Sequence, residues 1–381
     1  MRFKKYNIKW DKKLLSDFAK KITKKNSNNV IKNVICNSAQ NGLIPQLDFF
    51  DKEIANNENT AGYYIINNGD FVYNPRKSLS APYGPVNIYK YDKAGIVSPL
   101  YLCFSVEGID KKYLLQRFKS NCWHRYIYLN GDSGARHDRV SIKDDVFLSQ
   151  PIYVPSMAEQ ADIANFLEII DKRINVQNKI IEDLKILKKE LCNRVFGGGI
   201  FVRLGDHISE ITTRNKTNTC NNVLSVSNKM GFIKQSEQFE DRTVASEDKR
   251  NYKVVTEGCF AYNPARINVG SIALLSSYKI GIISPMYVCF NVKDTLEAEY
   301  LSFYYQSDSF FKELQKKLEG SVRQCLTYEN MCDIQIPYVD VQRQKEIAVT
   351  LNKFVNLIAV EEQYLRLLQR QKSYFLNAMF I

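Results

Sequence analysis

Histidine is scarce. Only His124, His137 and His207 occur among 381 residues, and they are scattered. Imidazole-based metal binding or acid–base chemistry is therefore thinly supplied. The nine cysteines are odd in number and none are spaced Cys-x-x-Cys, which argues against a disulfide framework and structural zinc. Reduced cytoplasmic thiols are the expectation. No run of 18 apolar residues exists, so no membrane-spanning helix is expected. Met1-Arg2-Phe3-Lys4-Lys5 leads into polar sequence, unlike a signal peptide. Gly197-Gly198-Gly199 is not followed by Lys-Ser/Thr and reads as a linker rather than a phosphate loop.

What is present is an ordinary globular composition, 45% apolar and 25% charged, in a chain long enough for two or three domains. Lysine and arginine number 53 against 41 acidic residues, a net charge of +12 that suits a polyanionic partner without requiring one.

The chain is an internal duplication. Gly69-Asp-Phe-Val-Tyr-Asn-Pro-Arg76 matches Gly258-Cys-Phe-Ala-Tyr-Asn-Pro-Ala-Arg266. Gly95-Ile-Val-Ser-Pro-Leu-Tyr-Leu-Cys-Phe104 matches Gly281-Ile-Ile-Ser-Pro-Met-Tyr-Val-Cys-Phe290, and the Ser38–Gly42 block matches Ser227–Gly231. The offset is 189 at Asn74/Asn263, 186 at Pro99/Pro285 and 184 at Gln160/Gln344. Such drift is what loop indels produce.

Each repeat ends in a long helical pattern. Apolar residues from Ile163 to Val195 step by 4 and 3, and the same steps recur from Ile347 to Met379. This is a 3.5-residue seam, with matched polar breaks at Gln177/Glu361 and Lys188/Lys372. Pro155 and Pro337 precede the two helices. Two such helices in one chain are expected to pair antiparallel, with Ile163 near Met379 and Val195 near Ile347; the alternative is that each seam packs on its own domain. Between them the repeats read as mixed α/β, with strands at Phe71–Tyr73, Ile96–Val97 and Leu100–Phe104 and helices at Tyr300–Gln306 and Phe310–Leu318. Residues 158–196 carry no net charge and 341–381 carry +3, so +9 of the +12 sits on the globular parts.

Asn74-Pro75 and Asn263-Pro264 invite comparison with the Asn/Asp-Pro-Pro-aromatic loop of adenine methyltransferases, but the second proline and the aromatic are missing. A turn ending a strand is the expected role. The Ser-Pro-x-Tyr-x-Cys-Phe blocks read as core strands, with Cys103 and Cys289 as buried apolar residues.

Two basic globular parts alternating with two helical seams resemble the specificity subunit of type I restriction-modification systems. Pro155-Ser-Met-Ala-Glu-Gln-Ala-Asp-Ile-Ala-Asn-Phe-Leu167 and Asp340-Val-Gln-Arg-Gln-Lys-Glu-Ile-Ala-Val-Thr-Leu351 are similar to the family's openings into its central and C-terminal helices. Asn193-Arg-Val-Phe196 and Asn377-Ala-Met-Phe380 resemble its helix ends. The resemblance implies an α+β fold in which two mixed α/β target-recognition domains are separated by two long helices forming an antiparallel coiled coil. Its segments would be residues 1–154, 155–199, 200–336 and 337–381. It further implies a chain without catalysis of its own that binds double-stranded DNA. Each recognition domain would read half of a split site, and the helical rod would set the gap. Two methyltransferase subunits would dock on it, and restriction subunits could join. S-adenosylmethionine, ATP and Mg would belong to those partners and no cofactor to this chain.

DNA contacts are expected at Arg76, Lys77 and Arg266 after the Asn-Pro pairs. They are also expected at Arg136 and Arg323 in the matched Ser133-Gly-Ala-Arg136 and Gly320-Ser-Val-Arg323, similar to a Gly-Ser-x-Arg-like segment of the family. Arg139, Gln324 and the loops Ser38–Asn41 and Ser227–Lys229 complete the set. Forked Arg and Gln donors suit base edges, and Lys suits phosphate. Other readings are a fusion carrying its own methyltransferase or nuclease, a stand-alone coiled-coil DNA-binding regulator, or the specificity part of a related restriction-modification type.

Overall fold

The computed structural model describes residues 2–46, 60–133, 138–228, 230–238, 248–318 and 324–380. It divides into two compact units, residues 1–177 with 364–381, and residues 178–363. These boundaries differ from the four sequence segments, because each unit combines one globular part with a portion of both long helices.

In the first unit an antiparallel sheet runs in the order Ala19–Lys21, Leu102–Val106, Phe71–Tyr73, Val86–Ile88. Phe71 and Phe104 are register partners whose rings stack at 5.4 Å. Beside this sheet the hairpin Ile35–Ser38/Gly42–Pro45 lies next to the pair Tyr64–Ile66/Gly95–Val97, joined by a parallel bridge from Val34 to Ile96. The second unit repeats the plan. Ile208–Glu210, Val288–Val292, Phe260–Tyr262 and Ile272–Leu274 form one sheet. Gly231–Lys234, Val223–Ser227, Ile280–Ile283 and Lys253–Thr256 form the other. Phe260 and Phe290 repeat the stacked register pair at 5.2 Å.

The duplication reaches further than the matched sequence blocks. Buried Asn26 clamps both backbone groups of Ile31, and buried Asn215 does the same for Cys220. The hairpin glycines Gly42 and Gly231 have φ of 75° and 68°, the left-handed region that a side chain disfavours. Divergent residues also do one job: the Arg117 guanidinium donates to the Pro151 carbonyl at 2.8 Å, and the Tyr304 hydroxyl donates to Gln335 at 2.9 Å.

The long helices are Met157–Phe196 and Val341–Met379, 40 and 39 residues. They start later than the prolines suggest. Pro337 lies inside the strand Gln335–Tyr338, paired with Phe201, and the second helix begins after Asp340. There the Asp340 carboxylate accepts from Arg343 N–H at 3.0 Å, while Ser156 accepts from Glu159 N–H at 3.3 Å ahead of the first. Side-chain acceptors of this kind satisfy amides that the first helical turn leaves open.

The helices pair antiparallel within each unit. In the first, Phe166 meets Phe375 edge-on at 4.9 Å, Asp171 pairs with Lys372, and Arg173 donates to the Tyr364 hydroxyl at 3.2 Å. Burial pushes Asp171 up, but Lys119 and Lys372 hold it below the usual carboxylate range. In the second unit Lys185 pairs with Glu362 at 2.7 Å. Ile163 and Met379 share one core, and Val195 and Ile347 pack on another. The seams also merge with the globular cores, Ile163, Leu167 and Ile170 joining Phe118 and Phe147. Packing on the partner helix and packing on the domain are thus both realised. Cysteines introduced at Asp171 and Lys372 are expected to crosslink with a short bifunctional reagent, within the monomer; a crosslink found only between molecules would contradict this pairing.

The Ser-Pro-x-Tyr-x-Cys-Phe blocks are strand only in their second halves. Ser98–Tyr101 and Ser284–Tyr287 are turns closed by hydrogen bonds of 3.0 and 3.1 Å. Cys103 and Cys289 are buried as expected, and burial pushes both thiols up to about 12, which removes thiolate reactivity at neutral pH.

Candidate nucleic-acid interface

Both Asn-Pro pairs end a strand of the central sheet. The Asn74 Oδ1 accepts from Arg76 N–H at 3.0 Å, and the Asn263 Oδ1 accepts from Ala265 N–H at 3.1 Å. These side chains close turns on their own backbone, the role expected of Asn before Pro. Asn74 Nδ2 also donates to the Asn37 carbonyl at 3.2 Å and reaches the Tyr101 hydroxyl at 3.5 Å. Buried Asn37 in turn accepts from Asn87 at 2.7 Å. The tip of the Ser38–Gly42 hairpin, the Asn74 loop and the Ser98–Tyr101 turn are therefore tied together.

The loop that follows is where the repeats part. Register partners Tyr73/Val86 correspond to Tyr262/Ile272, so the first loop covers 74–85 and the second 263–271, three residues shorter. In the longer loop Gly84 approaches the chain closely; a Cβ there would stand 2.0 Å from the Asn74 carbonyl oxygen.

Each Asn-Pro loop folds onto a distant segment. In the first unit Arg76 and Arg139 are antiparallel bridge partners, flanked by Val140 N–H to Pro75 O at 2.9 Å and Lys77 N–H to Asp138 O at 2.8 Å. The backbone thus gathers Arg76, Lys77 and Arg139. Residues directly opposed across such a bridge put their side chains on one face, and like charges there repel. Asp138 lies 3.9 Å from the Arg76 guanidinium, but both side chains are largely exposed, so the pair is weak and exchangeable. Burial and then the neighbouring Cys36 push the Tyr101 hydroxyl up, while Arg139 pulls it back.

In the second unit Leu326 N–H donates to Pro264 O at 3.2 Å, the counterpart of Val140 and Pro75. Gln324 is exposed two residues before this contact. Arg266 is exposed and lines a cavity of 250 Å³ with Asn263, Ser225, Gln235, Met286 and Tyr287. Arg136, Lys229 and Arg323 lie outside the described residues.

Sequence reasoning missed Asp138, Tyr101, Asn37 and Asn87 as parts of this cluster; an Asn matched to Val226 across the repeats was the available signal for Asn37. His124 sits between the rings of Tyr83 and Trp123, and burial lowers its pKa. His207 bonds Thr295 at 2.8 Å and stacks on Tyr338. Each ring is held by these contacts.

The opposed arginines give an asymmetric expectation. Arg139→Ala should leave the folding stability of the free protein within ~1 kcal/mol of wild type, since it removes a repulsion. It should nevertheless weaken DNA binding and lower the salt slope by about one, or relax one base. Titrations of the assembled complex at several salt concentrations test this; unchanged affinity, slope and base preference would exclude Arg139 from the interface.

Comparison with known proteins gives a consistent picture. The type I restriction modification DNA specificity domain matches twice, over residues 7–186 and 201–370. The specificity subunit of the type I restriction enzyme MjaVIII from Methanocaldococcus jannaschii is 23% identical over 317 residues, covering 75% of this chain and 70% of that protein. A chain from a structure addressing complex assembly and conformational transition of the type I R-M system superposes with a TM-score of 0.62 at 15% identity, covering 98% and 97% of the two chains. The S subunit of a type I restriction-modification system from M. genitalium gives 0.53 at 14% identity, covering 100% and 98%. The HsdS subunit from Thermoanaerobacter tengcongensis gives 0.50 at 16% identity, covering 99% and 98%.

Proposed function

This chain belongs to the type I restriction-modification DNA specificity family, and we propose that each of its compact units reads one half of a split double-stranded DNA site. The observation that carries this is the forced opposition of Arg76 and Arg139 beside Lys77, offset by the exposed Asp138. A face built so that cations repel is relieved by a polyanion. Arg266 and Gln324 are the corresponding groups in the second unit, and Arg136, Lys229 and Arg323 are assigned to the same role from their sequence positions.

Catalysis belongs to partner subunits. The Asn-Pro side chains that could be mistaken for a base-holding loop are occupied by their own turns. We assign S-adenosylmethionine, ATP and Mg to methyltransferase and restriction subunits and no cofactor to this chain. Docking of two methyltransferase subunits on the long helices is supported by apolar side chains left exposed there. Ile169 and Val176 are 57% and 60% exposed in the first unit and line a groove of 300 Å³, and Leu367 of the same unit is 53% exposed. Ile186, Leu187 and Val360 are 53%, 55% and 60% exposed in the second. Exposed apolar side chains gathered along one element suit a protein contact. Among the described residues no helix is long and apolar enough to cross a membrane. We assign the assembly to the cytoplasm because the DNA it would read lies there.

Methylome sequencing of a host with and without the gene tests the reading. The expected result is one bipartite motif that appears only with the gene and its methyltransferase partner. The purified chain should show no methyl transfer, nuclease or ATPase turnover alone; activity that persists through further purification would favour a fused enzyme.

A further inference from the structure

Leu100 and Met286 occupy the same position of the repeat, the third residue of the turns Ser98–Tyr101 and Ser284–Tyr287. They are 59% and 62% exposed and belong to no hydrophobic cluster among the described residues. Turn centres favour Gly, Asn, Asp and Ser, so a long apolar side chain gains nothing from the turn itself. The sequence pattern had placed both residues in core strands; the structure instead turns them out.

Their surroundings are polar and cationic. In the first unit the adjacent Tyr101 hydroxyl lies 3.5 Å from Asn74 Nδ2, while Asn74 Oδ1 accepts from the N–H of Arg76, the bridge partner of Arg139. In the second unit Met286 lines the cavity shared by Asn263 and Arg266, and the Tyr287 hydroxyl is 3.1 Å from Ser225 Oγ. An exposed apolar group set among polar groups with an arginine close by does not suit an apolar protein partner. It suits a ligand that is anionic outside and carries isolated apolar groups within. Duplex DNA has one such group on its major-groove edges, the C5-methyl of thymine.

We propose that Leu100 and Met286 each pack against a thymine methyl, supplying one thymine preference to each half-site. This rests on the proposed reading of a split DNA site by the two units. The surrounding arginines hold phosphates or guanine edges, and the turn then presents its apolar side chain to the groove. The two copies differ in shape, γ-branched Leu against unbranched Met, so the methyl each reaches need not lie at the same place in its half.

The test uses the complex with its methyltransferase subunits and duplexes carrying the motif found by methylome sequencing. Thymines are replaced one at a time by deoxyuridine, which removes only the methyl. The expected result is one position in each half where binding falls roughly fourfold, the worth of one buried carbon. Leu100→Ala should abolish the thymine–deoxyuridine difference in one half only, and Met286→Ala in the other. Wild-type binding indifferent to every deoxyuridine overturns the proposal, as does a difference that survives Leu100→Ala and Met286→Ala or disappears instead with Leu79→Ala and Val269→Ala, substitutions of exposed apolar residues in the two Asn-Pro loops. Absence of any sequence-specific binding would sink the half-site reading itself, whereas specific binding without methyl sensitivity sinks only this contact.

Discussion

Exchanging residues 200–338 for the matching segment of another specificity chain is expected to change one half of the methylated motif completely and leave the other half as it was. The reason lies in how the chain closes. Ile200–Arg203 pairs antiparallel with Gln335–Tyr338, so the two ends of this segment are neighbouring strands. A graft cut outside that pair carries its own closure, whereas a cut at 336 would split it. The cores of the second unit draw on Leu204 to Ile336 with Cys192, Phe196 and Leu351, and the first unit's cores include none of residues 200–338 among the described residues. Each wrong base pair in a site costs ~1–3 kcal/mol, so three changed positions suffice to silence the old half. Methylome sequencing of the graft is the measurement. A motif altered in both halves would show that the units do not read independently.

The parts legible in sequence were those written locally or twice. The seam from Ile163 to Val195 announces its helix through spacing alone, and its copy from Ile347 to Met379 makes pairing the natural inference. The Asn-Pro turns were legible because their hydrogen bonds span two residues. What escaped depends on distant contacts. Arg76 and Arg139 are 63 positions apart, and their opposition follows from a loop folding onto a segment beyond the central sheet. The outward turn of Leu100 and Met286 was hidden because Ser-Pro-x-Tyr-x-Cys-Phe reads as one apolar run, while the chain reverses at Pro99 and Pro285 before the strand begins. Likewise Arg117 and Tyr304 share a carbonyl-capping role that no similarity of side chain could reveal.

Gln160→Ala and Gln344→Ala are expected to destabilise their units by ~2–4 kcal/mol each. The two glutamines were matched in sequence, but their work is visible only in three dimensions. Gln160 is 1% exposed; its Oε1 accepts from Asp110 N–H at 2.8 Å and its Nε2 donates to Pro155 O at 2.8 Å. Gln344 is 0% exposed; its Oε1 accepts from Glu297 N–H at 2.7 Å and its Nε2 donates to Val339 O at 2.8 Å. Each therefore joins the first turn of a long helix to the loop that opens a domain helix. Truncation strands one donor and one acceptor away from water, and each such loss costs ~1–3 kcal/mol. Neither an exposed pair such as Arg343–Glu346 nor any surface charge approaches that magnitude. Denaturant unfolding measures the loss, and hydrogen exchange locates it. Faster exchange should appear at Asp110 and the start of the first long helix for Gln160→Ala, and at Glu297 and the start of the second for Gln344→Ala. Exchange unchanged at those amides, or stability within 0.5 kcal/mol of wild type, a level typical of neutral surface substitutions, would show that water replaces the clip and that the junction of helix and domain is held by apolar packing alone.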